Sequence, residues 1–208
     1  MFDLFSHELQ RKAIHLAGSL IPIVYYFLDR RTAILGLLII NTILISIEWL
    51  RLRGRIEFPG ILLRPHEKKQ VAAYVYFQMA ALLSLIIFDK TIAIAALLML
   101  AIGDTASGLA GAILKGGDIR NDNSNKMAVK PLPIMAVMFA VCVLIGLVLI
   151  RLPPAADMVN LSFPVYIAGA IGATLGDAIP LRVRGRPVDD NLIIPLLSGA
   201  FMSVVRVI

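Results

Sequence analysis

The chain has 208 residues, 59% of them hydrophobic and only 16% charged, with a mean hydropathy of +0.84. That balance excludes an ordinary water-soluble globular domain and predicts an integral membrane protein. Net charge is +6, and the Lys and Arg residues gather in particular connections. Such placement suits membrane orientation, anionic headgroups or a phosphate ligand, and argues against a nucleic-acid partner.

Apolar runs at 13–28, 32–47, 70–88, 91–103, 131–150, 158–176 and 192–205 predict a single all-α domain over residues 1–208, a polytopic bundle of about seven transmembrane helices. Several runs are shorter than the roughly 20 residues a span needs. They reach across by taking in flanking charges, by tilting, or as a broken helix beside a cavity. With seven crossings, fifteen Lys and Arg fall on the N-terminal side and five on the other. The positive-inside rule then places the N-terminus and the basic loops in the cytoplasm. The N-terminus lacks a signal-peptide pattern, so the first span is expected to be retained. Cys142 is the single cysteine, read as packing, and no intrachain disulfide is available.

In chain order, the first segment carries Arg11, His15, Gly18 and Pro22 on one helical face, with Lys12 beside them. Arg11 and Lys12 either snorkel to headgroups or bind an anion. His15 lies within the span and needs a polar partner. The second segment ends in Glu48, Trp49, Arg51, Arg53 and Arg55, read as an aromatic belt followed by arginines at the cytoplasmic leaflet. The loop at 54–69 reads as orienting and lipid-facing, and the span that follows, with Tyr74, Tyr76 and Gln78, as scaffold.

Residues 91–114 contain one charge, Asp104. An ionised Asp near hydrocarbon costs roughly 2.5 to 3.5 kcal/mol on insertion scales, so it marks an interior or wet site. Asp104, Ser107, Gly108 and Gly111 fall at i, i+3, i+4 and i+7, a polar stripe with little side-chain bulk. The Gly-, Asn- and Asp-rich loop at 115–130 follows, where Lys126 and Lys130 stand ready to neutralise a polyphosphate beside Asp104 with Mg²⁺ between them. The same loop also reads as merely solvated.

The sixth segment, with Gly169, Gly172, Ala173 and Gly176, is built for close helix approach and ends at Asp177. A salt bridge from Asp177 to Arg182 or Arg184 and a catalytic role are both open. Asp189, Asp190 and Asn191 introduce the last span. One N-cap needs one residue, and three consecutive oxygen-bearing side chains can also coordinate metal or hold a ribose.

Three stretches, Glu8-Leu9-Gln10-Arg11-Lys12-Ala13-Ile14-His15-Leu16, Gly103-Asp104-Thr105-Ala106-Ser107 and Asp189-Asp190-Asn191-Leu192-Ile193-Ile194-Pro195-Leu196, together resemble the family of CTP-dependent lipid-alcohol kinases. That family includes dolichol, phytol and CTP-using diacylglycerol kinases and is related to phosphatidate cytidylyltransferases. The resemblance implies CTP as phosphoryl donor, Mg²⁺ as cofactor, and a membrane isoprenoid alcohol, dolichol or polyprenol in type, as acceptor in the lipid bilayer. It implies Asp104 and Asp190 as metal ligands, with Asp104, Lys126 and Asp177 in catalysis. Nucleotide or phosphate contacts are implied for Arg11, Lys12, His15, Gly103, Thr105, Ser107, Gly108, Lys130, Arg186, Asp189 and Asn191. Where the family carries Lys-Ser/Thr-x-Glu-Gly, this chain has Lys126-Met127-Ala128-Val129-Lys130, keeping the Lys without the hydroxyl and the Glu. Two rival readings are a CDP-lipid synthase, with Arg182, Arg184 and Arg186 binding an anionic acceptor, and a small membrane transporter or lipid-binding protein with Asp104 and Asp177 as paired sites.

Overall fold

The computed structural model describes residues 15–58, 70–115, 129–183 and 186–208. The helices are α1 (Leu20–Phe27), α2 (Arg30–Leu52), α3 (Ala73–Ile87), α4 (Lys90–Leu98), α5 (Asp104–Lys115), α6 (Leu132–Arg151), α7 (Phe163–Ala178) and α8 (Asp190–Val207). A π-helical segment, Met99–Gly103, joins α4 to α5, so the two form one rod. The described residues thus make seven rods. A two-residue antiparallel ladder, β1 (Arg182–Val183) and β2 (Arg186–Pro187), closes the α7–α8 connection.

Local chemistry sets the boundaries. Asp29 accepts from the Thr32 backbone N–H at 3.0 Å and caps α2. Prolines lie in the first turn of α6 and of α7, where a missing N–H costs nothing. Four helices are long and apolar enough to cross a membrane: Arg30–Leu52, Lys90–Leu114, Leu132–Arg151 and Asp190–Val207. The other three rods are shorter, in keeping with the short apolar runs of the sequence. Outward-facing apolar rows, such as Leu35, Ile39 and Ile43 on α2 at 61%, 63% and 53% exposure, are what lipid rather than water would cover. The architecture is an all-helical, polytopic membrane bundle.

The α4–α5 rod is its centre. Its most apolar stretch is 67% buried, against 22% for that of α2 and 33% for those of α6 and α8. Around it α7 and α8 make the most extensive interface, α8 also packs on α3 and α4, α1 packs on α4, and α2 leans on α3 alone among its larger contacts. Polar groups gather at the two ends. At one, Lys90 Nζ donates to the carbonyls of Leu28 at 2.9 Å and Ala156 at 2.8 Å, and Arg206 pairs with Asp89. At the other stand Glu48, Arg51, Asp104, Lys130, Asp177 and Asp190. The 16 residue steps of α8 from Asp190 to Arg206 separate the two levels by about 24 Å at 1.5 Å per residue.

Arg51 corrects one sequence expectation. It is buried instead of lying among headgroups: Nε and Nη2 donate to Glu48 at 2.7 and 2.6 Å, and Nη2 also donates to the Gln70 carbonyl at 2.7 Å. Glu48 accepts in addition from Ala72 N–H at 2.8 Å and Tyr74 O–H at 2.7 Å. Tyr74 therefore does more than scaffold; it ties α3 to α2. Arg53 keeps to the surface, stacked 3.7 Å above the Trp49 ring.

Candidate functional site

Asp104 follows directly on the π segment. A π turn takes in one more residue than an α turn and commonly marks a functional position, because it re-aims the side chains that follow. Thr105 Oγ1 donates to the Ala101 carbonyl at 2.6 Å, so the hydroxyl serves the widened turn. Gly103 lies against α6: a Cβ there would come 2.9 Å from Met138 Sδ and 3.0 Å from Cys142 Sγ. Thr105 and Gly103, expected at a nucleotide, are thus engaged in shaping and seating the helix that carries Asp104. Cys142 is buried, as expected for packing.

Three helix ends converge here. Asp104 opens α5, Asp177 lies in the last turn of α7, and Asp190 opens α8. Each offers a carboxylate oxygen within 4.8 Å of the other two. Asp190 sits where a helix N-terminus favours negative charge, whereas Asp177 faces the unfavourable C-terminal end of its helix dipole. Lys130 answers it. Its Nζ lies 2.5 Å from Asp177 Oδ1 and donates to Ser107 Oγ at 3.0 Å, while Ser107 donates to Asp177 Oδ2 at 2.6 Å. The Lys130 backbone N–H reaches the Ala178 carbonyl at 3.2 Å, so chain entering α6 is clasped to the end of α7. A salt bridge to Arg182 or Arg184 and a catalytic role were both open for Asp177; among the described residues its ion pair is with Lys130, Arg182 is exposed, and Arg184 lies outside the described residues. Lys130, read as a phosphate ligand, here holds the Asp177 carboxylate.

Asp189 is the N-cap of α8. Its Oδ1 accepts from the backbone N–H of Asn191 at 3.0 Å and from the Asn191 side-chain amide at 2.7 Å. Asn191 Oδ1 in turn lies 2.5 Å from His15 Nε2, which stands 3.7 Å from Asp104 Oδ2. The imidazole packs edge-on to Phe77, with ring centroids 5.2 Å apart. The partner that His15 needed is therefore on the last helix.

Of the residues singled out in the sequence, Asp104, Ser107, Lys130, Asp177, Asp189, Asp190, Asn191 and His15 come together. Ser107 is buried on the stripe that begins at Asp104, and Gly108 is half-buried beside it. Arg11, Lys12 and Lys126 lie outside the described residues, as does the side chain of Arg186. The Glu48, Arg51 and Tyr74 cluster escaped the sequence reading, although its i, i+3 spacing of opposite charges was a usable signal.

No protein-family model matches the chain, and neither a curated protein nor a solved structure matches it.

Proposed function

We propose that the chain is a membrane-embedded, cation-assisted phosphotransferase acting on a lipid hydroxyl at the membrane surface. More particularly, it is a CTP-dependent kinase of polyprenol or dolichol type, giving the lipid monophosphate. The observation that supports this reading is the convergence of the two most specific motifs of the resemblance: Asp104 of Gly103-Asp104 and Asp190 of Asp189-Asp190-Asn191 meet Asp177 within 4.8 Å at one end of the bundle. In this reading all seven rods cross the bilayer, and the N-terminus and the basic loops are cytoplasmic, in line with the fifteen-to-five distribution of Lys and Arg.

The donor set fits Mg²⁺, a hard cation that takes oxygen ligands and typically one or two carboxylates plus substrate phosphates. Asp104 and Asp190 would hold it, and when bound it offsets the charge of the CTP phosphates. Lys126 and Arg186 add positive charge around the transferring group, as the resemblance implies. The acceptor oxygen forms a bond to the γ-phosphorus, the bond to the β-phosphate bridging oxygen breaks, and CDP leaves. Asp177 orients the lipid hydroxyl and takes its proton, with Ser107 and Lys130 holding the carboxylate in place. Phosphoryl transfer depends mainly on positioning and charge stabilisation, so buried, pre-aligned carboxylates suit it.

The test is a transfer assay on purified protein in lipid with Mg²⁺, γ-labelled CTP or ATP, and a panel of polyprenols and diacylglycerol, run beside Asp104→Asn. Label passing from CTP to a polyprenol, and lost in the variant, supports the kinase. Cytidine entering a phosphatidate-like acceptor from α-labelled CTP, with no labelled alcohol, would replace it by the CDP-lipid synthase.

A further inference from the structure

The three consecutive residues Asp189, Asp190 and Asn191 each carry a side-chain oxygen, and the structure separates their tasks. Asp190 belongs to the carboxylate cluster. Asp189 caps α8 and accepts twice from Asn191. A carboxylate accepts hydrogen bonds, so the Asn191 NH₂ must face Asp189, which turns the amide oxygen towards His15. That oxygen only accepts, so His15 Nε2 carries the proton between them. The opposite ring nitrogen, Nδ1, is buried and has no hydrogen-bond partner among the described residues. The ring orientation is thus set by Asn191 on one edge and by Phe77 on another.

We infer that His15 is a positioning residue: Asp189 and Asn191 fix the imidazole by hydrogen bonds, and its Nε2 edge, 3.7 Å from Asp104 Oδ2 and so beyond hydrogen-bond length, walls that carboxylate into register with Asp190. The inference rests on the reading of Asp104 as a cation ligand. It reassigns His15, Asp189 and Asn191 from nucleotide contacts to internal supports. Asn191 is 3% exposed, and its side chain bonds to Asp189 and His15. This arrangement has a structural rationale too. It links the first, central and last rods of the bundle, so Asp104 and Asp190, which come from separate helices, share one frame. Groups that orient metal ligands are worth about 10- to 100-fold in metal affinity.

The test is Mn²⁺ binding to the full chain in detergent, read from the electron paramagnetic resonance signal of free Mn²⁺, with the melting temperature measured on the same samples. The variants are His15→Gln, His15→Asn, His15→Ala and Asp104→Asn. A Gln amide nitrogen reaches the position of Nε2, whereas that of Asn reaches only Nδ1. The expected result is binding near the unaltered level in His15→Gln and a loss of about tenfold or more in His15→Asn and His15→Ala. In the kinase assay the same loss should fall on kcat, leaving the KM for CTP unchanged. Equal Mn²⁺ affinity in His15→Gln and His15→Asn, with Asp104→Asn binding none, would overturn this role while sparing the cation site. Unchanged Mn²⁺ binding in Asp104→Asn would instead remove the cation site itself. If His15→Ala fails to fold, the Gln and Asn pair still decides, and a raised KM for CTP in His15→Asn with unchanged Mn²⁺ affinity would return His15 to the nucleotide.

Discussion

Lys130 and Asp177, 47 residues apart, form an ion pair with Nζ 2.5 Å from Oδ1, closed to solvent on the Asp side and 14% exposed on the Lys side. Removing one partner of such a pair strands a buried charge, at a cost of about 3 to 5 kcal/mol. Lys130→Met is therefore expected to melt well below the unaltered protein in detergent. Combining it with Asp177→Asn should recover part of the loss, because neither charge remains. A single variant as stable as the parent would show that the pair does not hold α6 to α7.

Asp104→Asn keeps the shape of the side chain and removes its charge. In the proposed kinase it should lower kcat by at least about a hundredfold, the scale on which a single preorganised electrostatic contact acts. Asp177→Asn should lower it by less. Chelation with EDTA should abolish transfer, and Mg²⁺ should restore it in the parent only.

Two glycines in helices predict opposite outcomes. A Cβ at Gly172 on α7 would lie 2.8 Å from the Leu197 carbonyl oxygen and 2.9 Å from the Ser198 Cα on α8, both backbone atoms that cannot swing aside. Gly172→Ala should push the two helices apart and destabilise by about 1 to 3 kcal/mol. A Cβ at Gly36 on α2 meets nothing within 4 Å. Gly36→Ala should leave the melting temperature unchanged or raise it, since Ala is the better helix former by about 1 kcal/mol. Thermal melts of the two variants side by side check both.

Asp29, outside the spans, has its carboxyl held below the usual range by its hydrogen bonds to Thr32. A depressed pKa means that the ionised cap stabilises fully above the unfolded-state value of about 3.9 and that this contribution is lost as pH falls through the lower folded-state value. Asp29→Asn, which caps without titrating, should show a flatter dependence of melting temperature on pH below about 4. Superimposable pH profiles for parent and variant would show that the cap charge contributes nothing.

Much of the site was legible because charge in an apolar segment is costly. Asp104 stood out as the single charge of residues 91–114, Asp177 closed a long uncharged run, and Asp190 followed a cap that needed only one residue. The choice of partners was not legible. Arg182 is close to Asp177 in sequence, yet Lys130 pairs with it, because the start of α6 is clasped to the end of α7. Nothing in Met99-Leu100-Ala101-Ile102-Gly103 announces a π turn, since no proline or polar residue interrupts it.

By itself, then, the sequence determined the membrane class, the helical runs and the carboxylates that matter, since hydropathy and the cost of a buried charge are properties of a short stretch of chain. The tertiary structure alone decided that Asp104, Asp177 and Asp190 share one space, that Lys130 serves Asp177, and that Asn191 reaches His15 across 176 positions. Those meetings depend on how rods distant in sequence pack around α4–α5, on glycines such as Gly172 that let backbones touch, and on a π turn that sets the facing of Asp104. Packing of this kind is a joint property of all the helices and is written in no single segment.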